Sequence, residues 1–512
     1  MNVLLISLQR DLDVIGLKCL HYYLRENGHS PHLLYLPNFS SGQDALKNIG
    51  RLISDLSPKL IGVSLMSVEY HRACDLTKYL KVNFKSVPVL WGGIHPTIAP
   101  ETCLDYADYV CIGEGEGTIL DLSNAIERGE DVTGINNLCF RLDGRMERNP
   151  LNPLIDNLDE LPVYDHIPVN AFIQVKSRIS PLTRRLFRKY TRYRGITYSV
   201  ITSRGCPFSC TYCCNNFVSR LYQSRKIRRR SIRNIISELE RAMRDNPELE
   251  YINFQDDCFL ACGDEYLGEF CKGYKDKIAK PFVARSIPIY ITKKRMNWLK
   301  GAGLAWISLG LQSGSDRVLK DIYKRKSLAG DFLKAAKIIK DFNVAAFYDV
   351  ILDNPFETEE DKIQTIQTLM DTPRPFYTQY LSLVFYLGTE LYERASRECP
   401  EQIEDILTKD YFIYDRNVLN DMIRLATFLG KRHMNAIVRL YKQGPSGFRF
   451  RSLLFISRLL SLIVHEPVTY FQVIRLSMGG SLYKTLRVMP GYFGEGLMRY
   501  FSQFKGRKGA SF

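Results

Sequence analysis

Short, unbroken apolar runs punctuate the first part of the chain, at residues 3–8, 60–66, 87–91 and 109–112, and each predicts a strand buried on both faces. Between them lie helical patterns: residues 16–27, stopping at Gly28, and a helix that follows the second run through Leu80. Strands alternating with helices predict a parallel, doubly wound α/β sheet. Ligands in such sheets sit at the carboxyl ends of the strands, where Gly92, Gly93 and the tetrapeptide Gly113-Glu114-Gly115-Glu116 fall. The pattern lapses over residues 143–168, rich in Pro, Asn and Asp, and a basic stretch with Arg184, Arg185, Arg188 and Lys189 follows. Residues 1–142 therefore read as a first domain and 143–195 as a linker with a basic segment.

A second strand–helix series opens at residues 197–201, with further strands expected at 251–254, 282–285, 305–309, 345–351 and 379–384. Repeated β–α units over residues 196–395 predict a full or partial barrel, with its chemistry on the loops after the strands. From residue 396 to 512 the pattern is mainly helical. The apolar stretch 453–464 is interrupted by Ser457, Arg458 and Ser461 and ended by Pro467, too short and broken to predict a membrane span. No internal repeat is evident.

Length and composition agree with this division. A chain of 512 residues, 45% hydrophobic and 24% charged, is globular and long enough for roughly three domains. Residues 1–8 lack the basic region and small-residue cleavage site of a signal peptide, so the expected compartment is the cytosol. Thirteen cysteines in so long a chain are not a disulfide framework. Those scattered singly (Cys19, Cys74, Cys103, Cys139, Cys399) read as buried apolar thiols. Four crowd into residues 206–214, a density that asks for a metal.

The crowded segment is Cys206-Pro207-Phe208-Ser209-Cys210-Thr211-Tyr212-Cys213, directly after a strand. Thiolates suit iron–sulfur clusters or zinc. Structural zinc usually takes four protein ligands, often as two separated pairs, and no second pair is evident here. Cys214 adjoins Cys213 and should point elsewhere. A cubane on Cys206, Cys210 and Cys213 leaves one iron open for a small molecule.

This three-cysteine spacing, with aromatic Tyr212 before the last thiol, resembles the radical S-adenosylmethionine superfamily. The resemblance implies a TIM-type barrel holding a [4Fe–4S] cluster whose open iron chelates S-adenosylmethionine. One electron, from a donor such as flavodoxin or ferredoxin, then releases a 5′-deoxyadenosyl radical. It continues along the chain. Asn253-Phe254-Gln255-Asp256-Asp257 resembles the segment beside the methionine part of the ligand, and Arg285 is positioned to pair with its carboxylate. Residues 309–314, with Gln312 and Ser313, resemble the ribose segment, and residues 349–358 and 387–390 resemble later strands. With Tyr212, these are the expected S-adenosylmethionine residues.

The first domain resembles the Rossmann-like cobalamin-binding domain fused to many radical enzymes, through Gly62–Met66 with Ser64 and Leu65, through Trp91-Gly92-Gly93-Ile94-His95-Pro96, and through Gly113 and Glu114. Glycines let the backbone approach a flat ligand. The best-known cobalamin domains carry Asp-x-His-x-x-Gly, whose histidine binds cobalt. Here Asp11-Leu12-Asp13-Val14-Ile15-Gly16 puts Asp13 at that position, so no imidazole comes from this loop. Asp13 reads as a solvent-exposed helix cap, and His95 as a loop or capping residue rather than a cobalt ligand.

Charge is concentrated at the end of the chain. From Lys431 onward fourteen lysines and arginines face only Glu466 and Glu495, so +12 of the chain's +15 lies there. Phe448, Phe450, Phe455, Tyr470, Phe471, Tyr492 and Phe493 are interleaved with them. A helical domain packed on the barrel is the plainer expectation. Peripheral contact with anionic membrane, bringing a lipid-like substrate to the barrel mouth, is the alternative. Nucleic acid ranks lower, since no RNA-binding module is present.

Together these features imply a cobalamin-dependent radical enzyme that methylates an unactivated carbon of a small-molecule or lipid-like substrate. Cyclisation, rearrangement or oxidation without methyl transfer is the runner-up, and a non-catalytic corrinoid or cluster-binding protein the reading from another class. A methylthiolating RNA enzyme would need further N-terminal cluster cysteines, and Cys103 and Cys111 lack partners at a persuasive spacing.

Overall fold

A computed structural model describes residues 1–39, 41–191, 193–403, 407, 409–482 and 485. The N-terminal half builds a sheet of nine strands: β1 (Asn2–Ser7), β2 (Ser30–Tyr35), β3 (Leu60–Ser64), β4 (Val89–Gly92), β5 (Tyr109–Cys111), β6 (Leu138–Leu142), β7 (Arg145–Arg148), β8 (Ala171–Val175) and β9 (Arg178–Pro181), in the order β7-β6-β5-β4-β3-β1-β2-β8-β9. Its centre is parallel, from β5 across to β8, and an antiparallel hairpin finishes each edge. Leu4 and Ile6 enter the core on one face while Val3 and Leu5 enter the core on the other. That two-sided burial is why β1 is uniformly apolar.

The stretch expected to be a linker contributes three strands to this sheet. Residues 145–148 supply β7, and 171–181 return to the far edge as β8 and β9, pairing β8 with β2. Strand β2, beginning Ser30-Pro31-His32, is apolar only from Leu33 onward.

A second sheet of six parallel strands follows in simple sequential order: β10 (Thr197–Val200), β13 (Tyr251–Phe254), β14 (Phe282–Ser286), β15 (Leu304–Gln312), β16 (Ala345–Leu352) and β17 (Tyr377–Ser382). A helix follows each of the inner strands, and no pairing among the described residues closes β17 onto β10. The architecture is a partial barrel. A short antiparallel pair, β11 (Ser203–Arg204) with β12 (Arg228–Arg229), brackets the cysteine segment. Ile15, Cys19 and Tyr22 of the first helix join the barrel's own core, so the two halves share packed apolar surface.

The C-terminal region is helical, with helices Val418–Phe428, Lys431–Gln443 and Phe448–Leu460. The apolar stretch does not end at Pro467. A π-helical turn over Ser461–His465 leads straight into Glu466–Ser477, with Pro467 directly after the widened turn. The result is one 30-residue helix, Phe448–Ser477, long and apolar enough by length and composition to cross a membrane. Its last turns seal the start of the barrel strands: Tyr470 packs on Tyr377 at 4.4 Å, and Ile474 and Met478 pack on Tyr251 and Ala305. Tyr492, Phe493 and Glu495 lie outside the described residues.

Candidate active site

Strand β10 delivers the chain to the carboxyl end of the barrel, where Cys206, Cys210 and Cys213 lie half-buried with free thiols. Cys213 is the N-cap of helix Cys214–Leu221, so the loop ends where helix N–H groups and the dipole favour negative charge. Burial lifts the Cys206 thiol to about 12 and raises Cys210. Iron binding must therefore displace protons that the apo loop would keep at neutral pH. Among the described residues no three His, Cys, Asp or Glu side chains converge closely enough for a single ion. A cubane would take its thiolates on separate corners.

The loop is held from two sides. Thr211 donates from Oγ1 to the Ile322 carbonyl at 2.6 Å, and its own carbonyl accepts from the Leu391 N–H at 3.0 Å. The Tyr212 hydroxyl accepts from Arg325 Nη1 at 2.9 Å, and Arg325 Nη2 reaches the Gly310 carbonyl at 2.9 Å. Tyr212 thereby ties the cysteine loop to β15. Asp256 is also a fastener. Its buried carboxylate accepts from the Thr202 N–H and Oγ1 (2.8 Å) and from Ser203 Oγ (2.5 Å), pinning the residues that enter the loop rather than facing a ligand. Ser313 is likewise occupied within its own turn, accepting from the Ser315 N–H and meeting Thr365 Oγ1, both at 3.3 Å.

The remaining expected residues stand around the mouth. Arg285, exposed at the end of β14, donates to Gln255 Oε1 at 3.1 Å. Asp257 is raised by its close surroundings and pulled back by Asn215 and Arg285. Gln312 adopts φ +67°, and its Oε1 is buried without a partner, as is Arg325 Nε. An orphaned acceptor and an orphaned donor beside the loop fit a polar ligand such as S-adenosylmethionine. Two groups not singled out as site residues also face this interior. Asp349 on β16 accepts from Ser308 at 3.4 Å and is pushed by burial to about 6, with Arg285 and Arg325 opposing. Burial likewise lifts Glu357 to about 7. Asp349 lies on β16 and Glu357 in the loop that follows it.

In the N-terminal sheet, Ser64, Leu65, Gly92 and Gly93 form a ledge at the strand ends. Gly93 is exposed at φ +103°, and a Cβ there would meet the Leu65 carbonyl at 2.8 Å. Only bare backbone fits, which suits a broad, flat macrocycle such as cobalamin. His95 is neither a cap nor on this ledge. It is fully buried, with Nδ1 3.0 Å from Ser67 Oγ and the ring edge-on to Tyr70, and burial lowers it to about 4, leaving the imidazole neutral.

Asp13 is not a solvent-exposed cap. The helix N-cap is Val14, and Asp13 accepts from Lys18 Nζ at 2.8 Å, whose ammonium also reaches the His166 carbonyl at 3.0 Å. Burial would raise the Asp13 carboxyl, but Lys18 outweighs it and holds it low. Asp11 turns the preceding loop by accepting from the Asp13 N–H at 3.0 Å.

Gly113 and Glu114 face the barrel rather than the ledge. The space a Gly113 side chain would need, at φ +83°, is taken by the Tyr222 hydroxyl, which accepts from the Glu114 N–H at 3.0 Å. The Glu114 carboxylate receives both Arg228 nitrogens, at 2.9 and 2.6 Å, and Arg204 at 3.2 Å; Arg204 also binds Glu116 at 2.5 Å. These contacts clamp the β11–β12 pair that flanks the cysteine loop.

A cysteine loop built for an open-iron cluster, joined to a sheet with a bare glycine ledge, defines a cobalamin-dependent radical enzyme. A B12 binding domain model matches residues 1–123 and a radical SAM superfamily model residues 200–369. The chain belongs to the radical S-adenosylmethionine enzymes that carry a cobalamin-binding domain, with [4Fe–4S] cluster, S-adenosylmethionine and cobalamin as cofactors. It is similar to an uncharacterised methyltransferase of Pyrococcus horikoshii, 25% identical over 428 residues covering 77% of this chain and 88% of that one. Cytidylyl-2-hydroxyethylphosphonate methyltransferase of Streptomyces wedmorensis is 24% identical over 310 residues, 54% of each chain. The cobalamin-dependent radical enzyme OxsB, solved with aqua-cobalamin and S-adenosylmethionine, shares the fold over 97% of this chain and 81% of that one, with TM-score 0.66 and 15% identity.

Proposed function

We propose that this enzyme methylates an unactivated carbon of a small-molecule or lipid-like substrate, drawing its electron from a flavodoxin- or ferredoxin-like donor. Bound together, the cofactors supply a one-electron start and a transferable methyl group. The chain's own residues position them: the three thiols for the cluster, Arg285 and Gln255 for the methionine end of S-adenosylmethionine, Gln312 for its ribose, and the Gly92–Gly93 ledge for the corrin.

The observation that carries this reading is the packing of helix Ile94–Ile98, which follows the glycine ledge, against helix Cys214–Leu221, which follows the cysteine loop. A ledge and a cluster loop on adjoining helices suit a reaction that needs both centres at one substrate. The two methyltransferase relatives support methyl transfer, while cyclase relatives of 22–24% identity keep cyclisation as the second reading.

The test is anaerobic reconstitution of the full chain with iron, sulfide and cobalamin, followed by methyl-labelled S-adenosylmethionine, a strong reductant and a cell extract as the substrate source. Label in a product stable to acid, with 5′-deoxyadenosine formed alongside, is expected. Deoxyadenosine without labelled product would turn the reading to radical chemistry without methyl transfer. Absence of reductive cleavage would leave a non-catalytic corrinoid and cluster protein.

A further inference from the structure

The helix Phe448–Ser477 has two unlike faces. Phe450, Leu454, Ser457, Ser461, Val473 and Ile474 are buried against the protein. Facing outward are Phe448 (84% exposed), Phe455 (66%), Ile463 (62%), Ile456, Leu459 and Val468, without cover from any described residue. An apolar strip running along so long a helix is far more than the scattered exposed leucine of ordinary surfaces. Its only acidic residue, Glu466, is tied to Arg424. Arg449 and Arg451 are exposed at one end, Arg475 at the other, and Arg432, Arg439 and Lys442 lie exposed on the neighbouring helix Lys431–Gln443.

We propose that this face docks, lying flat, on an anionic phospholipid bilayer. At 1.5 Å per residue the helix is about 45 Å long, enough to span. Spanning would strip Phe450, Leu454 and Ile474 from the protein and uncover the strand starts, so the geometry is that of an interfacial helix, apolar face in the acyl boundary and arginines at the headgroups. Charge selects this occupant. A second copy would bring the same basic region against itself. Residues 486–512 carry five lysines and arginines against one glutamate and are like-charged too. The helix seals the barrel end opposite the cysteine loop, so docking leaves the mouth open to the aqueous side. The membrane is then an anchor and not the route by which substrate reaches the mouth.

The experiment is co-sedimentation of the full-length protein with vesicles of phosphatidylcholine alone or mixed with phosphatidylglycerol. Binding to the mixed vesicles is expected, falling at least about tenfold in Phe455→Glu/Ile463→Glu and in Arg449→Glu/Arg451→Glu, with far-UV circular dichroism unchanged. No binding, binding indifferent to phosphatidylglycerol, or binding that survives both variants would overturn the proposal. So would a dimer that Phe455→Glu/Ile463→Glu dissociates, which makes the occupant a second copy. Vesicle binding that appears only after deletion of residues 486–512 would assign the face to the chain's own end.

Discussion

Glu114 of the N-terminal domain and Arg228 of the barrel meet in a two-point ion pair, with Arg228 only 5% and Glu114 18% exposed. Burial alone would raise Glu114, but the hydrogen bonds from Arg228 and the charges of Arg204 and Arg228 hold its carboxyl below the usual range. A group so depressed contributes stability that is present above its unfolded value, about 4.3, and lost as pH falls through the lower folded one. Glu114→Ala strands Arg228 without its partner and should cost about 3 kcal/mol. The expected result is a lower urea midpoint for the wild type in acid, a dependence reduced in Glu114→Ala, and earlier proteolysis between the domains in that variant.

The four neighbouring cysteines are predicted to be unequal. In Cys210→Ala the cluster absorbance after reconstitution should vanish while the corrinoid band remains. In Cys214→Ala the cluster band should persist, because Cys206, Cys210 and Cys213 complete the ligand set, although the Cys214 thiol does not point elsewhere but hydrogen-bonds that of Cys213. A cluster that survives Cys210→Ala would contradict the ligand assignment.

Asp256, just after β13, and Arg285, at the end of the neighbouring β14, should fail differently. Asp256→Ala leaves the Thr202 and Ser203 donors buried and unpaired, costing about 2–4 kcal/mol and lowering iron content. Arg285→Ala should leave iron content and thermal stability alone and weaken S-adenosylmethionine binding about tenfold to a hundredfold. Equilibrium binding and iron analysis on the same preparations separate the two.

Asp349 and Glu357 oppose the Glu114 trend. Burial raises both, to about 6 and about 7. The stability this contributes is present below the unfolded carboxyl values and is lost as pH rises through the folded ones. Without S-adenosylmethionine, the stability of Asp349→Asn and Glu357→Gln should therefore vary less between about pH 4 and pH 7 than that of the wild type. Denaturant titrations across that range check it.

What was legible in the chain follows from how local each signal is. The strands at 3–8, 60–66 and 345–351 were visible because burial on both faces leaves few polar positions. Strands β7, β8 and β9 were not, since a hairpin at a sheet edge needs only one apolar face and tolerates the Pro, Asn and charged residues of that stretch. Pro467 looked like a helix end because a one-dimensional reading cannot see the π turn before it.

The chemistry divides along the same line. Three cysteines within eight residues lie on one loop, so spacing along the chain was enough to point to the cluster, and with it the family. Asp256, Gly113, Glu114 and Asp13 were read as ligand or surface groups, yet each spends its polar atoms or its empty space on a partner distant in sequence: Thr202, Tyr222, Arg228 and, through Lys18, His166. A buried charge takes whichever counter-charge the fold brings near, and no spacing along the chain encodes that choice. The sequence by itself pointed to how the reaction begins; only the tertiary structure decided which acidic residues hold the loop and the two domains together.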